Sequence, residues 1–117
     1  MTHTVLVVED EQHLRDMMRD ALELNGYTVV TAEHGAEALT KLAEIEHPCL
    51  VILDLLMPVM DGRTFIARMR ERVELSSVPI VVHTSAPGQT PDGVARVLQK
   101  PLIFDRLLSV VREYCAP

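Results

Sequence analysis

The sequence predicts an α/β fold, a doubly wound parallel sheet covered by helices on both faces. Strand-like runs rich in β-branched residues alternate with segments of helical period along the whole chain. The first run, 5–8, is apolar at every position, as expected for a central parallel strand buried on both faces. Such βα alternation is typical of parallel sheets with right-handed crossovers. We expect a single domain over residues 1–117, without an effector domain in this chain.

The first half of the chain contains three strand candidates and two helix candidates. The strands are expected at 5–8, 27–32 and 49–55. The first helix is marked by apolar residues at i, i+3, i+4, i+7 and i+8 and ends at Asn25-Gly26. The second stops before Pro48, because the residue before a proline disfavours helix. The apolar residues that mark these two helices are Leu14, Met17, Met18, Ala21, Leu22, Ala38, Leu39, Leu42 and Ile45.

The second half predicts strands at 78–84 and 94–98 and two further helices. A third helix, entered through Asp61-Gly62, and a final helix each have one apolar face. The residues expected on these two faces are Phe65, Ile66, Met69 and Val73, then Ile103, Phe104, Leu107, Leu108 and Val111.

The interval between Thr84 and Lys100 is too short for another complete βα unit. It holds 15 residues, whereas a helix, a strand and two loops need about 20. Two prolines and two glycines between 87 and 93 also exclude a regular helix. We therefore predict a loop in place of a fourth helix.

Composition excludes several function classes. The net charge of −6 and the lack of a basic cluster argue against nucleic-acid binding. No apolar run approaches the roughly 20 residues of a membrane helix, and no secretory signal is visible, which favours a cytoplasmic protein. Cys49 and Cys115 match no metal or redox motif, so we expect two reduced thiols, with Cys49 buried.

Five polar residues follow the predicted strands and are expected to meet at one edge of the sheet. They are Glu9, Asp10, Asp54, Thr84 and Lys100. In an open parallel sheet, ligands bind in the crevice at the carboxyl ends of the strands. Three clustered carboxylates repel one another by about 4 kcal/mol per pair at ~4 Å, and a divalent cation offsets this repulsion. The set suits a magnesium ion and a phosphoryl group.

The pattern from Val7 to Pro101 resembles the receiver domain of two-component response regulators. The match comprises 7–11 (VVEDE), 54–58 (DLLMP) with Asp61-Gly62, Thr84, and Lys100-Pro101. The resemblance implies a flavodoxin-like fold with a five-stranded parallel sheet in the order 2-1-3-4-5. It also implies a cis peptide bond between Lys100 and Pro101, which aims the ammonium group inward.

The resemblance assigns each site residue a role. Asp54 is the expected phosphoacceptor, since a carboxylate can attack a phosphoryl donor and form an acyl phosphate. Asp10 and Asp54 would bind Mg²⁺ or Mn²⁺ directly, Leu56 through its backbone carbonyl and Glu9 through a water. Thr84 and Lys100 would bind the phosphoryl oxygens.

The implied function is that of a phosphoacceptor signalling module, which catalyses only its own phosphotransfer and dephosphorylation. Its expected partners are a sensor histidine kinase or a phosphotransfer protein, and then a downstream protein target or a second copy of the chain. An alternative is a degenerate receiver that binds proteins without phosphorylation.

Two other classes share parts of this pattern. A haloacid-dehalogenase-like phosphohydrolase needs a second Asp two residues after the nucleophile, where this chain has Leu56. A flavin binder of the same topology needs aromatic rings to stack on the isoalloxazine, and the chain has only two Tyr and two Phe. Both are therefore disfavoured.

The chain departs from most receivers at the surface that usually transmits the signal. Many receivers have a Tyr or Phe where this sequence has Val97. Without the fourth helix, we expect a mobile proline-rich loop and an exposed apolar patch on the fourth and fifth strands, involving whichever of Val81, Val97 and Leu98 point to that side. We expect His83, next to Thr84, to face a helix layer and not the site.

Overall fold

The computed structural model describes residues 3–45, 47–57 and 59–115, which form five strands and four α-helices. Single 3-10 turns lie at Val73–Leu75 and Pro87–Gln89. In chain order the strands and helices are β1 (Thr4–Val8), α1 (Gln12–Leu24), β2 (Thr28–Ala32), α2 (Gly35–Glu44), β3 (Leu50–Asp54), α3 (Gly62–Arg70), β4 (Ile80–Thr84), β5 (Arg96–Gln99) and α4 (Phe104–Tyr114).

All five strands are parallel and lie in the order β2-β1-β3-β4-β5. The predicted α/β doubly wound fold and the strand order 2-1-3-4-5 are confirmed. In this order β1 and β3 are neighbours at the centre, with Val8 opposite Leu53. The carboxyl ends of β1, β3 and β4 therefore lie side by side, and the residues that follow them share one edge.

The sheet separates two apolar clusters, because successive side chains of a strand point to opposite faces. In β1, Val5 and Val7 pack with α1 and α4, whereas Leu6 and Val8 pack with α2 and α3. These four side chains are buried. The uniformly apolar sequence of β1 thus follows from helices on both of its faces.

Local sequence signals explain where α1 and α3 begin, at the carboxyl edge of the sheet. Glu11 begins α1 by accepting hydrogen bonds from the backbone N–H groups of His13 and Leu14. Asp61 begins α3 by accepting from the N–H of Thr64. Gly62 follows because a Cβ there would lie 2.7 Å from the Cα of Leu55, too close for any side chain.

Two helix predictions were wrong at their ends. The pattern placed Val73 on the apolar face of the third helix, but α3 ends at Arg70 and Val73 is 86% exposed in the following turn. Ile103 precedes α4 and is 49% exposed. The helical spacing of apolar residues extends beyond the end of α3 and before the start of α4, into residues whose backbone is not α-helical.

The predicted loss of the fourth helix is confirmed, since only the 3-10 turn Pro87–Gln89 lies between β4 and β5. The expected exposure of β4 is wrong, because all five of its residues are buried. Val94 packs against the cluster beneath, and Arg70 of α3 donates to the backbone oxygen of Gly93 at 3.2 Å. The loop therefore covers the strand that a helix covers in most receivers.

Among the three predicted patch residues, Val97 is the one with a large exposed fraction. Its side chain is 40% exposed, whereas Val81 and Leu98 are buried on the opposite face. The sequence could not tell which residues of β4 and β5 point to α4. In the structure, the register pairs Val82 with Val97, which places these two side chains on the face opposite Val81 and Leu98.

The expectation of two reduced thiols was wrong. Cys49 and Cys115 form a disulfide, and their Cα atoms lie 5.5 Å apart. Cys49 is half-buried just before β3, and Cys115 is buried where α4 ends. The fold brings the start of a central strand to the end of the last helix, although 66 positions separate the two residues in sequence.

Candidate functional site

Three carboxylates meet at the carboxyl ends of β1 and β3. One oxygen from each of Glu9, Asp10 and Asp54 lies within 4.8 Å of the other two. Asp54 is the last residue of β3, and Glu9 and Asp10 directly follow β1. The adjacency of these two strands, predicted by the strand order, brings the three acids together.

Within this cluster Glu9 and Asp54 are buried, whereas Asp10 is exposed. Two charges 4.8 Å apart repel by about 3.5 kcal/mol at an effective dielectric of about 20. The cost falls when one group stays protonated. Accordingly, burial and, less strongly, the negative charge of Asp54 together raise the pKa of Glu9 to about 7.

Asp54 is held at both of its oxygens. Oδ1 accepts a hydrogen bond from the backbone N–H of Leu56 at 3.1 Å, and Oδ2 accepts one from Lys100 Nζ at 3.0 Å. Partial burial acts to lower the pKa of Lys100, but the hydrogen bond and the charge of Asp54 raise it overall. Lys100 therefore keeps its positive charge beside the cluster.

Lys100 reaches the site from the end of β5. The peptide bond between Lys100 and Pro101 is cis, as predicted. The neighbouring strand β4 ends at Thr84, which is buried and whose Oγ1 accepts a hydrogen bond from the N–H of Ala86 at 3.0 Å. Every strand that the sequence expected to supply a site residue thus ends at the same edge.

The roles that the resemblance assigns to these residues stay predictions. Among them is the role of the Leu56 backbone carbonyl as a metal ligand. Pro58, part of the sequence motif, lies outside the described residues. The N-terminal part of the same loop is buried at Leu55 and Met57, whereas the Leu56 side chain is exposed.

His83 was placed only partly correctly by the sequence. Its ring lines a cavity of about 320 Å³ beside α1, bordered by Leu14, Met17 and Pro101, so the expected helix-facing orientation is confirmed. Nδ1 nevertheless lies 3.9 Å from Glu9 Oε1, so the ring also borders the acid cluster. Burial lowers the pKa of His83 to about 4, with a contribution from the charge of Lys100. The imidazole is neutral at pH 7.

Arg15 is a site-supporting residue that the sequence reasoning missed. Its Nη1 donates to the backbone oxygen of Glu9 at 2.8 Å, and its Nη2 lies 3.5 Å from Glu33 Oε1. Arg15 is buried with Met18 and Leu22 on the inner side of α1. The sequence did contain a signal for this burial, because Arg15 lies at i relative to the apolar residues Met18 (i+3) and Leu22 (i+7), on the same face of the helix.

The donor set fits a hard divalent cation. Carboxylate oxygens are the ligands that Mg²⁺ prefers, and the ion usually keeps several waters, for which the exposed side of Asp10 leaves room. The buried carboxyl of Glu9, with its raised pKa, is the group a cation would stabilise in its charged form. Lys100 adds a positive charge 3.0 Å from Asp54 Oδ2.

Comparison with known proteins agrees with this geometry. Residues 5–112 match the model of the response regulator receiver domain. The chain is 34% identical to the chemotaxis protein CheY of Bacillus subtilis, over 97% of this chain and 98% of that protein. It is 42% identical, over 77% of its length, to the probable transcriptional regulator ycf27 of Cyanophora paradoxa, of which it covers about a third (36%).

Among solved structures, the response regulator TrrA of Thermotoga maritima, in complex with Mg²⁺ and beryllofluoride, superposes with a TM-score of 0.84 at 30% identity, covering 97% of this chain and 99% of that one. Fold, site and relatives together define the class. The chain belongs to the response regulator receiver family, whose members are phosphoacceptor signalling modules of two-component systems.

None of the helices in the described part of the chain is long and apolar enough to cross a membrane.

Proposed function

We propose that Asp54 accepts a phosphoryl group from the phosphohistidine of a sensor histidine kinase or a phosphotransfer protein. The observation that carries the proposal is the contact between Asp54 Oδ2 and Lys100 Nζ, within a cluster of three carboxylates. An aspartate serving only as a loop cap would need neither the partly buried ammonium partner nor the two acids.

Each residue of the site would have a separate role in the phosphoryl transfer. An oxygen of Asp54 attacks phosphorus, the bond between phosphorus and the donor nitrogen breaks, and the histidine leaves with the electron pair. Lys100 neutralises charge on the phosphoryl oxygens, and the hydroxyl of Thr84, whose oxygen accepts from the N–H of Ala86, donates its proton to one of them. Mg²⁺ (or Mn²⁺) held by Asp10 and Asp54, the Leu56 carbonyl and, through a water, Glu9 would supply further charge neutralisation.

Phosphorylation would then change a protein-binding surface of a single domain spanning 1–117. The site connects to that surface through Thr84, which begins the loop to β5, and through Lys100, which precedes α4. Val97 and Ile103 are exposed near these elements. A downstream protein or a second copy of the chain would bind there, and the cytoplasm is the compartment in which the kinase would act.

Beryllofluoride with Mg²⁺ tests the proposal, because it mimics an acyl phosphate only where the phosphoacceptor site is complete. We expect amide NMR shifts at Asp54, Thr84 and Lys100, with further shifts in the 85–95 loop. Asp54→Asn should abolish them. Shifts of equal size in that variant would contradict the proposal, and no shift in the unmodified chain would favour a phosphorylation-independent binding domain.

A further inference from the structure

The disulfide between Cys49 and Cys115 is a second chemically reactive site, and the proposed phosphotransfer does not use it. Cys49 directly precedes β3, and Asp54 is the last residue of the same strand. Because a strand rises about 3.3 Å per residue, the two lie about 16 Å apart, at opposite ends of the sheet. The cysteines therefore stand apart from the acid cluster while sharing a strand with it.

The segment that contains α4 is joined to β3 at both of its ends. Before the helix, Lys100 Nζ contacts Asp54 Oδ2 at 3.0 Å. After the helix, Cys115 is bonded to Cys49. Between these anchors, α4 itself buries Leu107 and Val111 against the sheet. Breaking the disulfide would leave the last turn of α4 held only by packing and helical hydrogen bonds.

The fold has enough packing to exist without the disulfide. Chains that depend on disulfides are mostly small secreted domains that cannot build a sufficient core, whereas this one buries two clusters across a five-stranded sheet. A reduced Cys115 would still suit its apolar surroundings, since a free cysteine behaves as a small hydrophobic residue. Both oxidation states are therefore compatible with the same fold.

The two cysteines differ in exposure. Cys115 is 2% exposed, whereas Cys49 is half-buried. Cys49 is the more exposed residue of the two, so we expect an incoming thiolate to attack its sulfur, with the Cys115 thiolate as the leaving group. Access to one sulfur is what thiol–disulfide exchange requires.

We propose that Cys49 and Cys115 form a reversible redox-modification site that fixes the end of α4 in its oxidised state. A dithiol reductant attacks Cys49, forms a mixed disulfide and releases Cys115 as a thiol after it takes up a proton. The second thiol of the reductant then attacks the mixed disulfide, which frees Cys49 and oxidises the reductant. A low-molecular-weight disulfide, such as glutathione disulfide, reverses the sequence with the same two electrons and two protons.

The equilibrium is tested in buffers of stepped ratios of glutathione to glutathione disulfide, followed by maleimide trapping and intact mass. We expect mixtures of both forms at intermediate ratios, reached from either the oxidised or the reduced protein. A bond that persists in pure reduced glutathione, or that fails to form in pure disulfide, would overturn the proposal. Asp54→Asn should titrate as the unmodified chain does, so the result stands independently of phosphotransfer.

The structural consequence is tested by hydrogen exchange in the two states. The N–H of Cys115 donates to the backbone oxygen of Val111 at 2.7 Å, at the end of α4. We expect the amides of 112–115 to exchange at least about tenfold faster after reduction, as local openings become accessible. Cys49→Ala should show the fast exchange in both buffers and retain the fold. Equal rates in the oxidised and reduced chain would show that the bond does not fix the helix.

Discussion

Replacing Glu9 by Gln should change the pH dependence of stability in the absence of metal. The folded-state pKa of Glu9 is raised from 4.5 to about 7, chiefly by burial. Between these values the folded state binds more protons than the unfolded state, so stability falls as pH rises. A shift of this size corresponds to a loss of about 3 kcal/mol, complete above pH 7.

His83 acts in the opposite direction. Its pKa is lowered from 6.5 to about 4, chiefly by burial. Across this range the unfolded state binds more protons, so stability rises with pH, again by about 3 kcal/mol. In the unmodified chain the two contributions largely cancel between pH 4.5 and 6.5. Removing Glu9 leaves the rising contribution of His83, because burial is the largest cause of the lowered pKa of His83.

Urea denaturation in EDTA, followed by circular dichroism from pH 4 to 7.5, measures this directly. We expect a nearly level profile for the unmodified chain and, for Glu9→Gln, a rise of about 3 kcal/mol up to pH 6.5. Glu44→Gln, at an exposed position of α2, is the matched control and should follow the unmodified profile. Superimposable profiles for Glu9→Gln and the unmodified chain would refute the assignment of the raised pKa to Glu9.

Three further changes have defined outcomes. Asp10→Asn removes one of three clustered carboxylates and should weaken Mg²⁺ binding at least about tenfold, measured by calorimetry; unchanged affinity would exclude Asp10 as a ligand. Lys100→Gln removes the charge at 3.0 Å from Asp54 and should slow phosphorylation by acetyl phosphate about 100-fold, and an unaltered rate would contradict its role. Cys49→Ala opens a loop of 66 residues and should lower the free energy of unfolding by about 4 kcal/mol relative to the oxidised chain, yet leave it close to that of the reduced chain. Equal stability of the variant and the oxidised chain in denaturant would count against the cross-link.

The helices, the strands and the position of each site residue at a strand end could be predicted from the sequence, because they depend on short-range patterns. A strand such as β1 is recognisable from the four apolar residues 5–8, and the acid that follows it must lie at the strand's carboxyl end. The order of the strands came from the family resemblance, since periodicity does not determine which strands pair.

What the sequence missed depends on contacts between distant segments. Nothing near Cys49 indicates that the end of α4 lies beside it. The orientation of Val97 follows from its register with β4, and the covering of β4 depends on Val94 and on the bond from Arg70 of α3 to the loop. His83 illustrates the same limit, since its face was predicted but its approach to Glu9 was not.

The most direct test of the central claim is to locate the phosphoryl group. After incubation with acetyl phosphate and Mg²⁺, borohydride reduction converts a phosphorylated aspartate to homoserine, and peptide mass spectrometry identifies the position. We predict conversion at Asp54 alone, dependent on Mg²⁺ and absent without acetyl phosphate. Conversion at Asp10 or another carboxylate, with Asp54 unmodified, would contradict the account.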